Sequence, residues 1–263
     1  MARRETIDGA KTVVVLGVAR SGTSVTAGVL TALGVDLGST AFPTESNPTG
    51  VLEDDDFARL HKEILNAAEP GKTYWDPPPV QKVWQQQERF ADRIEKLVAA
   101  KSKGKPFWGW KHPPTILTIE LYLPYLVNPH FVFVFRNPLG TARSSVEHTS
   151  RYKDKVDVLR TLKLVNFYHD EMMRFVDRHP DLPALFLSFE DVLSEPGREA
   201  ARIAEFLGVE LTEEKLDKIL KLVIPREAIG DARKKAAGLF TGKLPRLLKK
   251  KLLPLLRAGS GGE

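Results

Sequence analysis

The sequence contains no cysteine among its 263 residues, so disulfide bonds and thiolate metal sites are excluded. Long hydrophobic runs are also missing. The longest, near residues 13–16 and 131–135, fall far short of the roughly 20 apolar residues that a membrane-spanning helix requires. Residues 1–11 are polar and lack the apolar segment of a secretory signal. From these absences we expect a cytoplasmic protein.

Negative charge is in the minority, because 39 Lys and Arg face 34 Asp and Glu, which gives a formal charge of +5. This balance favours an anionic partner but does not choose among nucleotide, nucleic acid and membrane. The excess lies largely in a basic C-terminal segment at about residues 225–263. Its leucines and lysines predict an amphipathic helix near residues 244–257. Such a helix either packs on its own domain or makes peripheral contact with an anionic membrane.

Short apolar runs alternate with helical patterns along the chain. Strands are predicted at residues 12–16, 107–110, 131–135 and 184–188. Helices are predicted at residues 25–33, 54–66, 80–100, 113–126, 139–147, 156–178 and 197–207. This alternation predicts an α/β fold of three layers, in which helices flank a central parallel sheet. We expect a single domain over residues 1–263, with its core at about residues 12–211.

Residues 17–24 (Gly-Val-Ala-Arg-Ser-Gly-Thr-Ser) nearly satisfy the P-loop pattern between a strand and a helix. The usual lysine is missing, since Thr23 occupies its position and Arg20 lies three residues earlier. Backbone amides, the helix N-terminus and the hydroxyls of Thr23 and Ser24 still suit a phosphate or sulfate. We therefore predict a P-loop-like fold with an anion-binding loop. A glycine-rich turn that only packs a strand against a helix is the alternative.

A second anion site is suggested where the strand at residues 131–135 ends in Arg136-Asn137-Pro138, with Ser144 on the helix that follows. A Walker-type nucleotide hydrolase has a metal-binding aspartate at this strand end. An arginine cannot bind Mg²⁺, so the sequence indicates an anion whose charge the protein itself neutralises. Taken alone, the spacing is weak evidence and favours a solvated arginine and an ordinary helix serine.

Together, these motifs resemble the two cofactor signatures of sulfotransferases, and the bacterial-type branch is the most similar. Further similarity lies at residues 47–53, 110–113, 189–193 and 206–208. The resemblance implies that 3′-phosphoadenosine 5′-phosphosulfate (PAPS) is the sulfuryl donor, that 3′-phosphoadenosine 5′-phosphate (PAP) is the product, and that no metal is needed. It also implies that the 3′-phosphate is bound by Arg136 and Ser144. The residues implied for the 5′-phosphosulfate are Arg20, Ser21, Gly22, Thr23 and Ser24.

Sulfuryl transfer requires stabilisation of the leaving phosphate and a base for the acceptor. Arg20 is the first candidate for stabilisation, because its planar guanidinium suits an oxyanion. Lys111 is the second, since its position is similar to that of the family lysine that reaches toward the transferring group. Glu53 ranks first as base, in an arrangement that resembles the bacterial branch, although an acid near a helix N-terminus is also favoured by the helix dipole. His112 and Glu45 are the other candidates.

His112 departs from the cytosolic branch, in which the catalytic histidine lies two residues after the lysine rather than one.

The expected acceptor is a small molecule, lipid or glycan, and its identity stays open. Tyr74, Trp75, Trp84 and Trp108 line either an acceptor pocket or the core.

Two other functions remain open from the sequence. One is a nucleotide kinase or NTPase with an atypical loop, and the missing P-loop lysine argues against it. The other is a non-catalytic anion-binding module for nucleic acid or lipid. The paired phosphate motifs make that module the less economical account, and we expect no nucleic-acid partner.

Overall fold

A computed structural model describes residues 9–38, 52–150 and 158–223. Within them, four strands form one parallel sheet in the order β2-β1-β3-β4. Helices cover both faces of the sheet, which confirms the predicted three-layer α/β fold. The strands are β1 (Lys11–Leu16), β2 (Phe107–Lys111), β3 (Pro129–Phe135) and β4 (Ala184–Ser188).

The helices follow the predicted alternation, with a 3₁₀ turn at Leu123–Tyr125 after the fifth. They are α1 (Thr23–Ala32), α2 (Asp55–Ala68), α3 (Val80–Trp84), α4 (Gln87–Ser102), α5 (Thr115–Tyr122), α6 (Pro138–Ser150), α7 (Val158–Arg178), α8 (Phe189–Ser194), α9 (Pro196–Leu207) and α10 (Glu213–Val223).

The predicted helix at residues 80–100 is wrong in one respect, because the structure divides it into α3 and α4. The break is a tight turn in which the amide of Gln86 donates to the carbonyl of Val83 at 3.0 Å. The predicted helix at residues 113–126 begins later, at Thr115, after two prolines. Helices α8 and α10 were not predicted.

Alternation along β1 separates two hydrophobic cores, because successive side chains of a strand point to opposite faces of the sheet. Val14 and Leu16 pack in one core with residues of α2 to α5 and α7. Val13 and Val15 pack in the other core with residues of α1, α9 and α10. Both cores bury β1 completely apart from its first residue, which fixes the position of the loop that follows it.

The parallel arrangement places the carboxyl ends of all four strands at one edge of the sheet, where α/β proteins bind ligands. The loop at residues 17–22 follows β1, Lys111 ends β2, and Arg136 follows β3. These candidate site residues therefore lie at the carboxyl edge of the sheet, whereas the motif at residues 206–208 lies at the opposite edge, where Nζ of Lys11 donates to the carbonyl of Leu207.

No helix within the described residues has both the length and the apolar character needed to cross a bilayer. Glu45 and the basic C-terminal segment, with its predicted amphipathic helix, lie outside the described residues.

Candidate active site

The loop between β1 and α1 has the backbone of an anion-binding turn. Arg20 and Gly22 both adopt left-handed conformations, with φ of 70° and 97°, and the amide of Ser21 donates to the carbonyl of Val18 at 3.1 Å. Successive backbone amides in such a turn form a concave site for anions. Within the described residues, no side chain caps the N-terminus of α1. The amides at this helix end can therefore be satisfied by a bound anion.

Gly22 is required by its surroundings as well as by its φ angle. A Cβ atom at this position would lie 2.1 Å from Cδ2 of Phe189, which begins α8. The same phenyl ring lies beneath the guanidinium of Arg136, whose Cζ is 4.7 Å from the ring centroid. Phe189 therefore supports both the loop and the arginine that follows β3.

Arg136 and Ser144 contact the loop through Arg20. Nη1 of Arg136 donates to the carbonyl oxygen of Arg20 at 3.0 Å. Nε of Arg20 donates to the hydroxyl of Ser144 at 3.2 Å. Asn137 fixes the start of α6, because its side-chain oxygen accepts from the amides of Leu139 and Gly140. The structure thus brings the two predicted anion motifs into one basic site.

Lys111 links this basic site to Glu53. It is only 2% exposed, and its ammonium lies 2.7 Å from Oε1 of Glu53 and 3.3 Å from Oγ of Ser24. Burial lowers the pKa of Lys111, and the carboxylate of Glu53 opposes that shift. The paired carboxylate compensates the cost of burying this cation.

Glu53 is positioned by the start of α2 without belonging to its first turn. Asp54 is the N-cap, and its side chain accepts from the amides of Asp56 and Phe57. Asp54, rather than Glu53, therefore provides the acidic side chain that caps the N-terminus of α2. The carboxylate of Glu53 instead contacts Lys111.

His112 lies beside the same carboxylate, with Nε2 3.8 Å from Oε2 of Glu53. The pKa of His112 is lowered to about 3, mainly because the ring is buried and also because the ammonium of Lys111 is nearby. On its other side, Nδ1 of His112 lies 2.8 Å from Nδ1 of His61. The two rings are nearly parallel, at 16°, with centroids 5.1 Å apart.

His61 was missed by the sequence analysis, because it occupies the apolar face of α2 between Leu60 and Ile64. The sequence did contain one indication that His61 has a polar partner. A titratable side chain on a face otherwise made of buried apolar residues needs a polar partner inside the protein. The partner, His112, is 51 residues away and could not be inferred from the helical pattern.

The four aromatic candidates separate into two groups. The ring of Tyr74 lies 6.3 Å from that of His112, and Trp75 packs against Tyr74 at 5.1 Å. Trp108 is a core residue, 3% exposed, and Trp84 packs against the same core. Only the first pair lies close to the site.

The described part of the chain contains no group of three His, Asp or Glu side chains placed to hold a metal ion. Residues 47–51, which carry most of one of the similar motifs, lie outside that part.

Solved structures share this fold. A sulfotransferase from Alicyclobacillus acidocaldarius matches with a TM-score of 0.52 and 15% identity, covering 87% of this chain and 95% of its own. The sulfotransferase domain from the curacin biosynthetic pathway matches with a TM-score of 0.51 and 14% identity, covering 80% of this chain and 77% of its own. At such identity the likeness concerns the fold alone. A search of curated proteins finds no significant sequence match.

A family model decides the classification. The model described as the sulfotransferase family matches residues 12–213, which is most of the chain and includes every site residue named above within the described residues. The match begins in β1 and ends at the first residue of α10. The chain therefore belongs to the sulfotransferase family.

Proposed function

We propose that this protein transfers a sulfuryl group from PAPS to an acceptor hydroxyl or amine without a metal ion. The observation that carries the proposal is the hydrogen bond of 3.0 Å from Arg136 to the carbonyl of Arg20. It places one arginine from each anion motif at the same edge of the sheet. A nucleotide with phosphate groups at both its 3′ and 5′ positions matches two adjacent basic groups.

The residues around the loop fit such a nucleotide. The hydroxyl of Ser21 is buried and has no hydrogen-bond partner among the described residues, and the N-terminus of α1 has no side-chain cap. A buried polar group without a partner is costly, so a ligand oxygen at this position would stabilise the loop. In our proposal Ser21, Gly22, Thr23 and the loop amides hold the 5′-phosphosulfate, and Arg136 with Ser144 holds the 3′-phosphate.

When bound, PAPS supplies an activated sulfuryl group attached to a phosphate leaving group. Arg20 neutralises the charge that develops on the leaving phosphate, because a guanidinium donates strongly to oxyanions. Lys111 assists, since its ammonium lies within reach of both Ser24 and Glu53. This position connects the donor loop with the base.

Glu53 accepts the proton of the acceptor. Its carboxylate is about one quarter exposed, with 24% side-chain accessibility, so a substrate can approach it. His112 lies next to Oε2 of Glu53. The pKa of about 3 keeps His112 neutral near pH 7, so this imidazole contributes hydrogen bonds rather than charge.

Tyr74 and Trp75 form the acceptor side in this proposal, because they lie beside His112 on the loop that precedes α3. The hydroxyl of Tyr168 donates to the carbonyl of Tyr74 at 2.8 Å and anchors that loop. Aromatic side chains suit a phenol, a lipid or a sugar ring, which matches the acceptor classes expected from the sequence. A single domain and a cytoplasmic location remain part of the proposal.

The test is incubation with ³⁵S-labelled PAPS in the presence of EDTA and a panel of phenols, lipids, glycans and amines. We expect labelled product with at least one acceptor and thermal stabilisation by PAP, because a ligand that binds only the folded state stabilises it. No thermal shift at saturating PAP, or magnesium-dependent ATP turnover instead, would contradict the proposal.

A further inference from the structure

The proposed mechanism leaves one buried titratable group unused. His61 is fully buried, with its ring 6.1 Å from that of Phe57 and edge-on to that of Tyr122 at 5.4 Å. Its polar contact within the described residues is the 2.8 Å approach of its Nδ1 to Nδ1 of His112. A histidine in such surroundings has to be neutral, and burial lowers its pKa well below the ordinary value.

Two neutral imidazoles joined through their Nδ1 atoms share a single proton in that hydrogen bond, which leaves two arrangements. In the first, Nδ1–H of His61 donates to His112, which then carries its own proton on Nε2. In the second, Nδ1–H of His112 donates to His61, which then carries its proton on Nε2.

The surroundings favour the first arrangement on two counts. Nε2 of His61 is buried without a hydrogen-bond partner, and the second arrangement would leave an N–H there with no acceptor. The second arrangement would also direct the lone pair of His112 Nε2 toward the carboxylate of Glu53, 3.8 Å away. In the first arrangement, Nε2–H of His112 faces that carboxylate. The lone pair on Nε2 of His61 then lies in the buried position that has no hydrogen-bond partner.

The groups that face His112 also favour a neutral ring with its proton on Nε2. The ammonium of Lys111 opposes protonation of the ring, and the carboxylate of Glu53 attracts the Nε2 proton. The ring of Tyr74 lies edge-on to that of His112, with centroids 6.3 Å apart. The charged neighbours thus favour a neutral ring with an outward-facing N–H.

We propose that His61 is a positioning residue that holds His112 in the tautomer with its proton on Nε2. The Nε2–H of His112 then faces the carboxylate of Glu53, 3.8 Å away, and can donate to the acceptor oxygen, and Glu53 is the general base. The catalytic part of this statement rests on the proposed function. The tautomer itself does not, because it follows from contacts that exist without substrate.

The direct test is ¹⁵N NMR of the histidine side chains at neutral pH, with signals assigned by difference from the His61→Asn and His112→Asn proteins. We expect wild-type His112 to carry its proton on Nε2. A proton on Nδ1 of His112 would overturn the proposal. This measurement needs neither donor nor acceptor.

Substitutions at His61 test its effect on catalysis. His61→Leu removes the donor, whereas the amide of His61→Asn lies near the former Nδ1 and can still donate. We expect kcat to fall about tenfold or more in His61→Leu, with unchanged PAP affinity, and to recover at least partly in His61→Asn, because a wrong tautomer disables a catalytic imidazole. His130→Asn is the control, since His130 is buried near the start of β3, where its Nδ1 contacts the carbonyl of Asn128.

Wild-type kcat and an unchanged His112 tautomer in His61→Leu would overturn the proposal. If His61→Leu does not fold, the spectra of the wild type and His61→Asn still decide the tautomer. The two proposals fail in different ways. A protein that binds no PAP refutes the proposed function, whereas PAP binding with His112 protonated on Nδ1 refutes only the role of His61.

Discussion

Arg136 donates a hydrogen bond to the backbone carbonyl of Arg20, at 3.0 Å, across a separation of 116 residues in the sequence. This contact ties the end of β3 to the loop that follows β1. It also holds Arg20 in a left-handed conformation that a residue with a Cβ atom rarely adopts. The contact thereby preorganises the loop that we propose holds the 5′-phosphosulfate, and preorganisation reduces the entropy lost on binding.

Ser144→Ala should weaken PAP binding about 2- to 10-fold, because the hydroxyl that bonds Arg20 and is proposed to bind the 3′-phosphate is lost. Isothermal titration calorimetry with PAP measures the effect. Ser145→Ala is the matched control, since its hydroxyl donates to the carbonyl of Thr141 within α6. Equal losses in both variants would remove Ser144 from the proposed site.

Gly22→Ala should abolish detectable PAP binding and lower the melting temperature. Alanine pays about 1–2 kcal/mol for the left-handed backbone, and its Cβ would overlap Phe189. Gly34→Ala has a similar backbone, with φ of 105°, but its Cβ would meet no atom within 4 Å. We therefore expect the drop in melting temperature by calorimetry to be smaller for Gly34→Ala. Equal drops would show that the contact with Phe189 is unimportant.

The strands and the loop were predictable from the sequence because their signals are local. Residues 184–188 were predicted as a strand and form β4 with the same bounds. Four short apolar runs separated by helical patterns admit few folds other than a covered parallel sheet. The division between α3 and α4 was not predictable, since the three glutamines at residues 85–87 carry no strong helix-breaking signal.

The pairing of site residues was predictable only in part. Strand ends suggested that Arg136 would approach the loop at residues 17–24, because parallel strands share one edge. The contact between Lys111 and Glu53 depends on how the segment before α2 returns to the end of β2. Tertiary packing sets that path, as it does the approach of His61 to His112, and no local pattern encodes it.

Glu53→Gln should lower kcat about a hundredfold or more, because the amide cannot accept the acceptor's proton. PAP affinity should stay close to that of the wild type, since Glu53 faces the acceptor in our proposal. Steady-state kinetics with ³⁵S-labelled PAPS and PAP calorimetry separate the two effects.

Glu63→Gln is the control for this substitution. Glu63 lies on α2 in an exposed ion pair with Arg93, and such pairs contribute little to stability. Its kcat should match that of the wild type. Full activity in Glu53→Gln would show that another group is the base.

Acid should destabilise the protein through His112. Its pKa is about 3 in the folded state and near 6.5 when unfolded, so the unfolded chain binds more protons between these values. The stabilisation is fully present above pH 6.5 and is lost as the pH falls toward 3. Between pH 7 and pH 5, this histidine alone should remove about 2 kcal/mol from the free energy of unfolding.

Urea unfolding of the wild type and His112→Asn across this pH range isolates that contribution. The wild-type curve should fall more steeply, and the two should run parallel above pH 7. Curves that stay parallel down to pH 5 would show that His112 is already exposed to solvent protons in the folded state.

The most direct test compares the binding of PAP and 5′-AMP by calorimetry in EDTA, for the wild type and for Arg136→Gln. PAP carries a 3′-phosphate that 5′-AMP lacks. The wild type should bind PAP about 10- to 100-fold more tightly, and Arg136→Gln should lose most of that difference, because hydrogen bonds to charged groups contribute about 1.5–3 kcal/mol. Arg143 is an exposed arginine on α6, the helix that follows Arg136, and Arg143→Gln should behave as the wild type. Equal affinity of the wild type for both nucleotides would contradict the account.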